Sequence, residues 1–213
     1  MQKLQELALY LEQGQAQKVT ALTEQLLEAS VSPQLILNDG LIAGMAVVGE
    51  KMRSGDMYLP EVLQSAGAMQ ASLKILKPHL AREGAKSRGK ILMGTVKGDM
   101  HDIGKNLVGI MLQGAGFEIV DIGLNVPPEK FVEAIKAHQP SIVALSAMLT
   151  TTMLNMKSTI ESVRSAGLSS DVKIIIGGAP VNQNFADQIG ADGYARDAVL
   201  AVDKVKQLLS ISP

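Results

Sequence analysis

The chain has 213 residues and contains neither cysteine nor tryptophan. Without cysteine there are no disulfides, no thiolate metal sites and no cysteine nucleophile, a composition that fits a reducing compartment. Aromatic residues are scarce, with three Tyr and three Phe, so a base-stacking platform for nucleic acid is not expected. Charge of one sign is lacking as well: 20 basic residues stand against 21 acidic ones, for a net charge of −1. Such a balance offers no basic field to nucleic acid. No apolar run approaches the roughly 18 residues of a membrane span, and Met1–Glu6 carries no signal-peptide core. The expectation is a soluble, cytoplasmic protein with no nucleic-acid or membrane partner.

What the chain does have is apolar residues, 46% of the total, in two different periods. Up to about residue 80 the spacing is helical: Leu4, Leu7, Ala8 and Leu11, then Val19, Leu22, Leu26 and Leu27. Ser32-Pro33 is a cap followed by a first-turn proline, and Leu35, Ile36, Leu41, Ile42, Met45, Val48 and Met52 come after it. A fourth helix is expected from Pro60-Glu61, carrying Val62, Leu63, Ala66, Met69, Leu73 and Leu76. Short joints between amphipathic helices predict a four-helix bundle over 1–81, with methionines 45, 52, 57 and 69 as soft core filler. Residues 82–89 are polar and glycine-bearing and read as a linker. From Lys90 apolar strand-like runs recur at 91–96, 117–122, 142–145 and 172–176, with a short fifth near Tyr194. Helical stretches separate them, the first from Asn106 to Gln113. Alternating β and α with fully apolar strands predicts a doubly wound α/β domain over 90–213, a five-stranded parallel sheet of order 2-1-3-4-5.

That order makes strands 1, 3 and 4 neighbours and gathers three loops at one sheet edge. They hold Asp99-Met100-His101-Asp102-Ile103-Gly104, the hydroxyl-rich Ser146–Thr152, and Gly177-Gly178-Ala179-Pro180. The first loop is not a P-loop, because five residues separate Gly98 from Gly104 and Asn follows Lys105. No dinucleotide fingerprint follows the strand either. Asp99 two residues before His101 can hold one ring nitrogen and make the other more basic. Taken alone, the pair suits metal ligation, proton transfer or a solvated histidine that caps the next helix.

With its partners in register the pattern is more specific. Asp-x-His-x-x-Gly at 99–104, 41 residues at 105–145, Ser146-Ala-Met148, and Gly177-Gly178 resemble the corrinoid (vitamin B12) carrier proteins of methyltransferase systems. They are similar also to the cobalamin-binding module of methionine synthase. Gly44–Glu50 and Tyr58–Leu63 resemble that family's helical cap, so the likeness spans nearly the whole chain. It implies a corrinoid that has lost its own lower base and takes His101 as the metal ligand, with Asp99 on the other ring nitrogen. Thr152 stands where the methionine synthase module has Ser and would extend the relay. The displaced nucleotide tail would pass Gly104, Ser146, Thr150, Gly177 and Gly178, and Met100, Asp102, Ile103 and Met148 would line the cofactor. Met148 replaces the pattern's Leu. Met52 and Leu59 would cover the upper face, Met52 replacing Phe, and the linker would act as a hinge.

The function implied is carriage of a methyl group on cobalt between a substrate-specific corrinoid methyltransferase and an acceptor-side methyltransferase, with a reductive activase as a further partner. The chain would not be an enzyme alone. The alternative is a cobalamin-binding sensor module, which lacks its expected tryptophan and DNA-binding domain here. The small subunit of an adenosylcobalamin mutase would lack the bundle. A phosphoacceptor receiver fails because Ser146 stands where an aspartate is required.

Overall fold

The structure is a computed structural model, and it describes residues 2–82 and 88–211. These fall into two compact units: 2–82 together with 113–116, and 88–112 together with 117–211. Most of the expected linker, 83–87, lies outside the described residues; Arg82 belongs to the preceding helix.

The first unit is helical. α1 (Gln2–Glu12) and α2 (Ala16–Glu28) form an antiparallel start. α3 (Pro33–Leu35) then runs without a break through a π-helical segment (Ile36–Ile42) into α4 (Ala43–Ser54). Ser32 caps this run, its hydroxyl accepting from the Gln34 N–H, as the Ser-Pro signal predicts. α5 spans Leu59–Arg82. The π-helical segment is a departure from the simple periodicity. Gly40 and Gly44 lie along it and the next turn, and a Cβ on Gly44 would stand 2.8 Å from the Ala8 carbonyl, so α1 packs there at backbone distance. Leu7, Leu11, Val19, Ile36, Leu41, Val48, Val62 and Leu76 are fully buried. Met45, Met57 and Met69 join them, whereas Met52 is half-buried and Leu63 is exposed. The buried hydroxyls of Thr23 and Ser72 lie 2.6 Å apart, and Thr23 also donates to the Val19 carbonyl, so α2 and α5 meet without an orphaned polar group.

The second unit is a five-stranded parallel sheet of order β2-β1-β3-β4-β5. β1 is Lys90–Thr95, β2 Glu118–Asp121, β3 Ile142–Ser146, β4 Lys173–Gly177 and β5 Gly193–Tyr194. The connecting helices are α6 (Ile103–Gly114), α7 (Pro128–His138), α8 (Leu154–Ser165) and α9 (Gln183–Ile189), and α10 (Ala198–Leu208) closes the chain. Alternate strand residues face opposite sides. Leu92, Val143, Leu145, Ile174 and Ile176 form one core with Phe131 and Ile135 of α7, Met156 and Ile160 of α8, and Ile189 of α9. Ile91, Met93, Ala144 and Ile175 are buried on the other side. Both faces are covered, which is why these strands are apolar throughout.

Gly94 is the one small residue inside central strand β1. A Cβ there would come within 2.9 Å of both Ile122 Cγ1 and Phe131 Cζ, because the tip of the Phe131 ring reaches the strand at this position. Gly94→Ala is therefore expected to destabilise the protein by about 1–3 kcal/mol through overpacking. Adding Phe131→Leu to Gly94→Ala should cost less than the two single changes summed, a coupling that denaturant unfolding of all three variants measures directly.

Candidate functional site

The ends of β1 and β3 carry the site. After Thr95 the chain turns at Gly98 (φ +83°) and brings Asp99 back underneath, with its N–H donating to the Val96 carbonyl at 3.1 Å. Asp99 is fully buried yet satisfied from two loops. Its Oδ1 accepts from the His101 N–H at 3.0 Å and from the His101 ring Nδ1 at 2.8 Å. Its Oδ2 accepts from the Met148 N–H at 2.7 Å, the Leu149 N–H at 3.3 Å and the Thr152 hydroxyl at 2.5 Å. Burial works to raise its pKa and is the largest single influence. The Thr152 hydroxyl, the Met148 N–H and the two His101 donors together outweigh it and hold the carboxyl well below the usual carboxylate range. Asp99 is an anion in the folded protein.

That charge fixes the role of one ring nitrogen. An ionised carboxylate only accepts, so His101 Nδ1 donates to it, and Nε2 is the nitrogen turned away from Asp99. The ring side chain is 54% exposed. The segments that follow β1 and β3 also expose large apolar side chains, Met100, Ile103, Met148, Leu149 and Leu154. Exposed apolar residues on two segments that meet at Asp99 are the arrangement to be expected for a covered ligand site.

The sheet also brings together the other residues of the motif. Ser146 ends β3 opposite Thr95 of β1 on one side and Gly177 of β4 on the other. Thr150 is exposed in the loop that precedes α8. The glycines differ in kind. Gly178 has φ +128°, and a Cβ there would overlap the Ala147 carbonyl, so backbone packing alone demands it. A Cβ on Gly177 would stand 3.0 Å from the Ala195 carbonyl. Gly104 has nothing within 4 Å of a Cβ position and faces open space. It lies inside α6, as does Ile103: the helix starts three residues before Asn106, because the Asn106 N–H already reaches the Asp102 carbonyl at 2.7 Å. The motif therefore ends on a helix turn rather than in the loop. Met52 lies on α4, half-buried, and Leu59 opens α5, exposed; both belong to the first unit.

Several contributors are not signalled by the sequence. The backbone N–H groups of Met148 and Leu149 reach Asp99 only because β3 lies beside β1. Thr95, fully buried, donates its hydroxyl to the His101 carbonyl at 3.0 Å. Asn125, with φ +52°, accepts the Gly98 N–H at 2.7 Å. A hydroxyl at a strand end and a lone asparagine are too common to stand out by themselves.

Asp99→Asn puts an amide N–H against donors that now face a carboxylate oxygen. It should destabilise the protein without any ligand by about 1–3 kcal/mol at neutral pH. The folded carboxyl is the stronger acid, so its stabilisation is present above the unfolded value of about 4 and is lost as pH falls below it. Unfolding of both proteins by urea between pH 7 and pH 2 should show the gap narrowing below about pH 4; a constant gap would contradict the assigned charge.

Comparison with known proteins identifies the family. The B12 binding domain family matches residues 89–203, and a second family of that description matches residues 3–77. The trimethylamine corrinoid protein of Methanosarcina barkeri is 44% identical over 187 residues, 87% of this chain and 86% of that one. Among solved structures, a chain of the methanol:cobalamin methyltransferase complex MtaBC from Methanosarcina barkeri superposes with a TM-score of 0.88 at 29% identity, covering 99% of this chain and 81% of its own. A cobalamin-binding protein from Desulfitobacterium hafniense DCB-2 gives 0.79 at 31%, covering 96% and 98%. With a helical unit and a parallel α/β unit both matched, and identity sustained along most of its length, this chain belongs to the corrinoid proteins that carry B12 binding domains.

Proposed function

We propose that this protein holds a corrinoid with its own lower base displaced, takes His101 Nε2 as the lower ligand, and carries a methyl group from a substrate-specific corrinoid methyltransferase to an acceptor-side methyltransferase. The observation that carries the reading is the imidazole whose Nδ1 is tied to buried, ionised Asp99 while Nε2 faces away, on segments that expose large apolar side chains. The donor set fits the group. Among the described residues no cluster of three or more His, Cys, Asp or Glu could hold a metal ion. A metal at His101 therefore needs its remaining ligands from elsewhere, and a corrin ring supplies four nitrogens. The bound corrinoid contributes a cobalt centre that accepts and releases methyl groups.

This chain's residues have separate tasks. Asp99 holds Nδ1 of His101 and so orients the ring. Thr152 donates its hydroxyl to the far carboxylate oxygen and has the Leu149 carbonyl, 3.0 Å away, as a second acceptor to which the O–H can turn. Met100, Ile103, Met148 and Leu149 offer apolar surface to the macrocycle and keep water from His101. The open volume beside Gly104, with Ser146, Thr150, Gly177 and Gly178 nearby in the fold, suits the displaced nucleotide tail. Placing Met52 and Leu59 over the upper face rests on the family resemblance, as does a reductive activase as further partner. A methyltransferase partner is supported by the likeness to the chain from the methanol:cobalamin methyltransferase complex.

Two measurements test the reading. His101→Ala should lower the thermal midpoint modestly, because buried Asp99 loses the ring Nδ1 donor, and should bind hydroxocobalamin without the visible-absorption signature of imidazole coordination. An unchanged spectrum would remove His101 from its role. Gly104→Ala should raise stability by about 0.5–1 kcal/mol, as alanine for glycine does within a helix. It should weaken hydroxocobalamin binding, because the new methyl enters the volume assigned to the tail. Equal affinity in that variant would place the tail elsewhere.

A further inference from the structure

The loop between β2 and α7, residues 122–127, has no task in that scheme, yet it is fastened at both ends to the chain that carries Asp99 and His101. At its start the buried ammonium of Lys105, on the first turn of α6, pairs with Asp121 and also reaches Asn106 Oδ1 at 3.3 Å. The other Asp121 oxygen accepts the Gly123 N–H at 2.9 Å. The Gly123 carbonyl accepts the Thr95 N–H at 2.9 Å, and the Val126 N–H donates back to the Thr95 carbonyl at 2.9 Å. Between these ties the chain bulges over Gly98 and Asp99, and Asn125 occupies the bulge. Its backbone sits at φ +52°, a left-handed conformation that Asn, Asp and Gly adopt most readily. From there its side-chain Oδ1 accepts the Gly98 N–H at 2.7 Å, and its own N–H donates to the Asp99 carbonyl at 2.9 Å.

We propose that Asn125 is a positioning residue for the His101 ligand, gripping the Gly98 N–H and the Asp99 carbonyl so that the Asp99 carboxylate stands where the β3–α8 loop can meet it. The inference rests on the reading of His101 as lower ligand. Asp99 is then held from two opposite sides: its backbone by Asn125, and its carboxylate by Thr152 and the Met148 and Leu149 N–H groups. Gly98 needs the outside grip because it is exposed, left-handed (φ +83°) and without a side chain of its own. Thr95 secures the other end of the segment through the His101 carbonyl. Between those fixed points the direction of the imidazole has little freedom. A ligand held in advance loses less entropy when it binds.

Two variants separate positioning from plain stability. Asn125→Gly keeps the left-handed backbone and removes Oδ1; Asn125→Asp keeps both the backbone preference and an acceptor. In the cofactor-free protein, Asn125→Gly should speed hydrogen exchange at the Gly98 amide by about two- to tenfold, the range of one net hydrogen bond. Amides of Ile174–Ile176 should keep wild-type protection. With hydroxocobalamin bound, the fraction showing imidazole coordination should fall in Asn125→Gly and return in Asn125→Asp. If Gly98 exchange accelerates while coordination is unchanged, or if Asn125→Asp fails to restore it, Asn125 is a loop-builder only and the inference is overturned. Unchanged exchange at Gly98 overturns it as well. If His101→Ala itself leaves the spectrum unaltered, the ligand assignment fails and takes this inference with it. A changed His101→Ala spectrum beside an unchanged Asn125→Gly one sinks only the role of Asn125.

Discussion

A single buried negative charge organises the candidate site. Asp99 has no exposed surface, and five donors converge on its two oxygens from its own loop and from the loop after β3. An unpaired carboxylate at that depth would protonate or drive the loop open. Here hydrogen bonds to the charged form exceed the penalty of burial. Because the anion can only accept, Nδ1 of His101 donates to it and Nε2 is the nitrogen left facing away. The chemistry open to the imidazole thus follows from the environment of a residue two positions away.

That environment is a consequence of topology. Parallel strands β1, β3 and β4 end at the same edge in register, Thr95 beside Ser146 and Ser146 beside Gly177. The winding reverses between β1 and β3, which opens the crevice where α/β sheets receive ligands. The N–H groups of Met148 and Leu149 point at Asp99 because β3 is a neighbour of β1, although about fifty residues of chain separate them. The segments that follow these two strands expose five large apolar side chains. Such surface is unfavourable in water and is consistent with a flat, largely apolar ligand.

The glycines of the motif show how one residue type serves different physical ends. Gly178 is required by a left-handed backbone against the Ala147 carbonyl, with or without a ligand. Gly104 is under no such constraint, for its missing side chain leaves only open space. Gly94, outside the motif, admits the Phe131 ring to the strand. A glycine in the sequence says that a side chain is absent; only the packing says what occupies its place.

Much of this was legible in the residues. Apolar stripes at helical spacing marked the helices of the first unit, and alternating apolar runs with helical stretches between them marked the parallel sheet and its order, because each pattern must bury a face of a given period. Asp99-x-His101-x-x-Gly104, Ser146 and Gly177-Gly178 were visible as a spaced set. The start of α6 was not, because the Asp102 carbonyl and Asn106 N–H meet only once the loop has turned at Gly98. Nor was the π-helical stretch at Ile36–Ile42, where the Leu7 side chain of α1 packs against Gly40. Thr95, Asn125 and the Lys105–Asp121 pair were likewise silent, each an ordinary residue type with a partner remote in the chain. Periodicity and local motif chemistry are properties of neighbouring residues, so the sequence alone determined the elements, their order and the identity of the histidine and its carboxylate. The charge on Asp99, the free Nε2 and the grip of Asn125 depend on groups that folding brings from distant segments into hydrogen-bond range, and these only the tertiary structure decided.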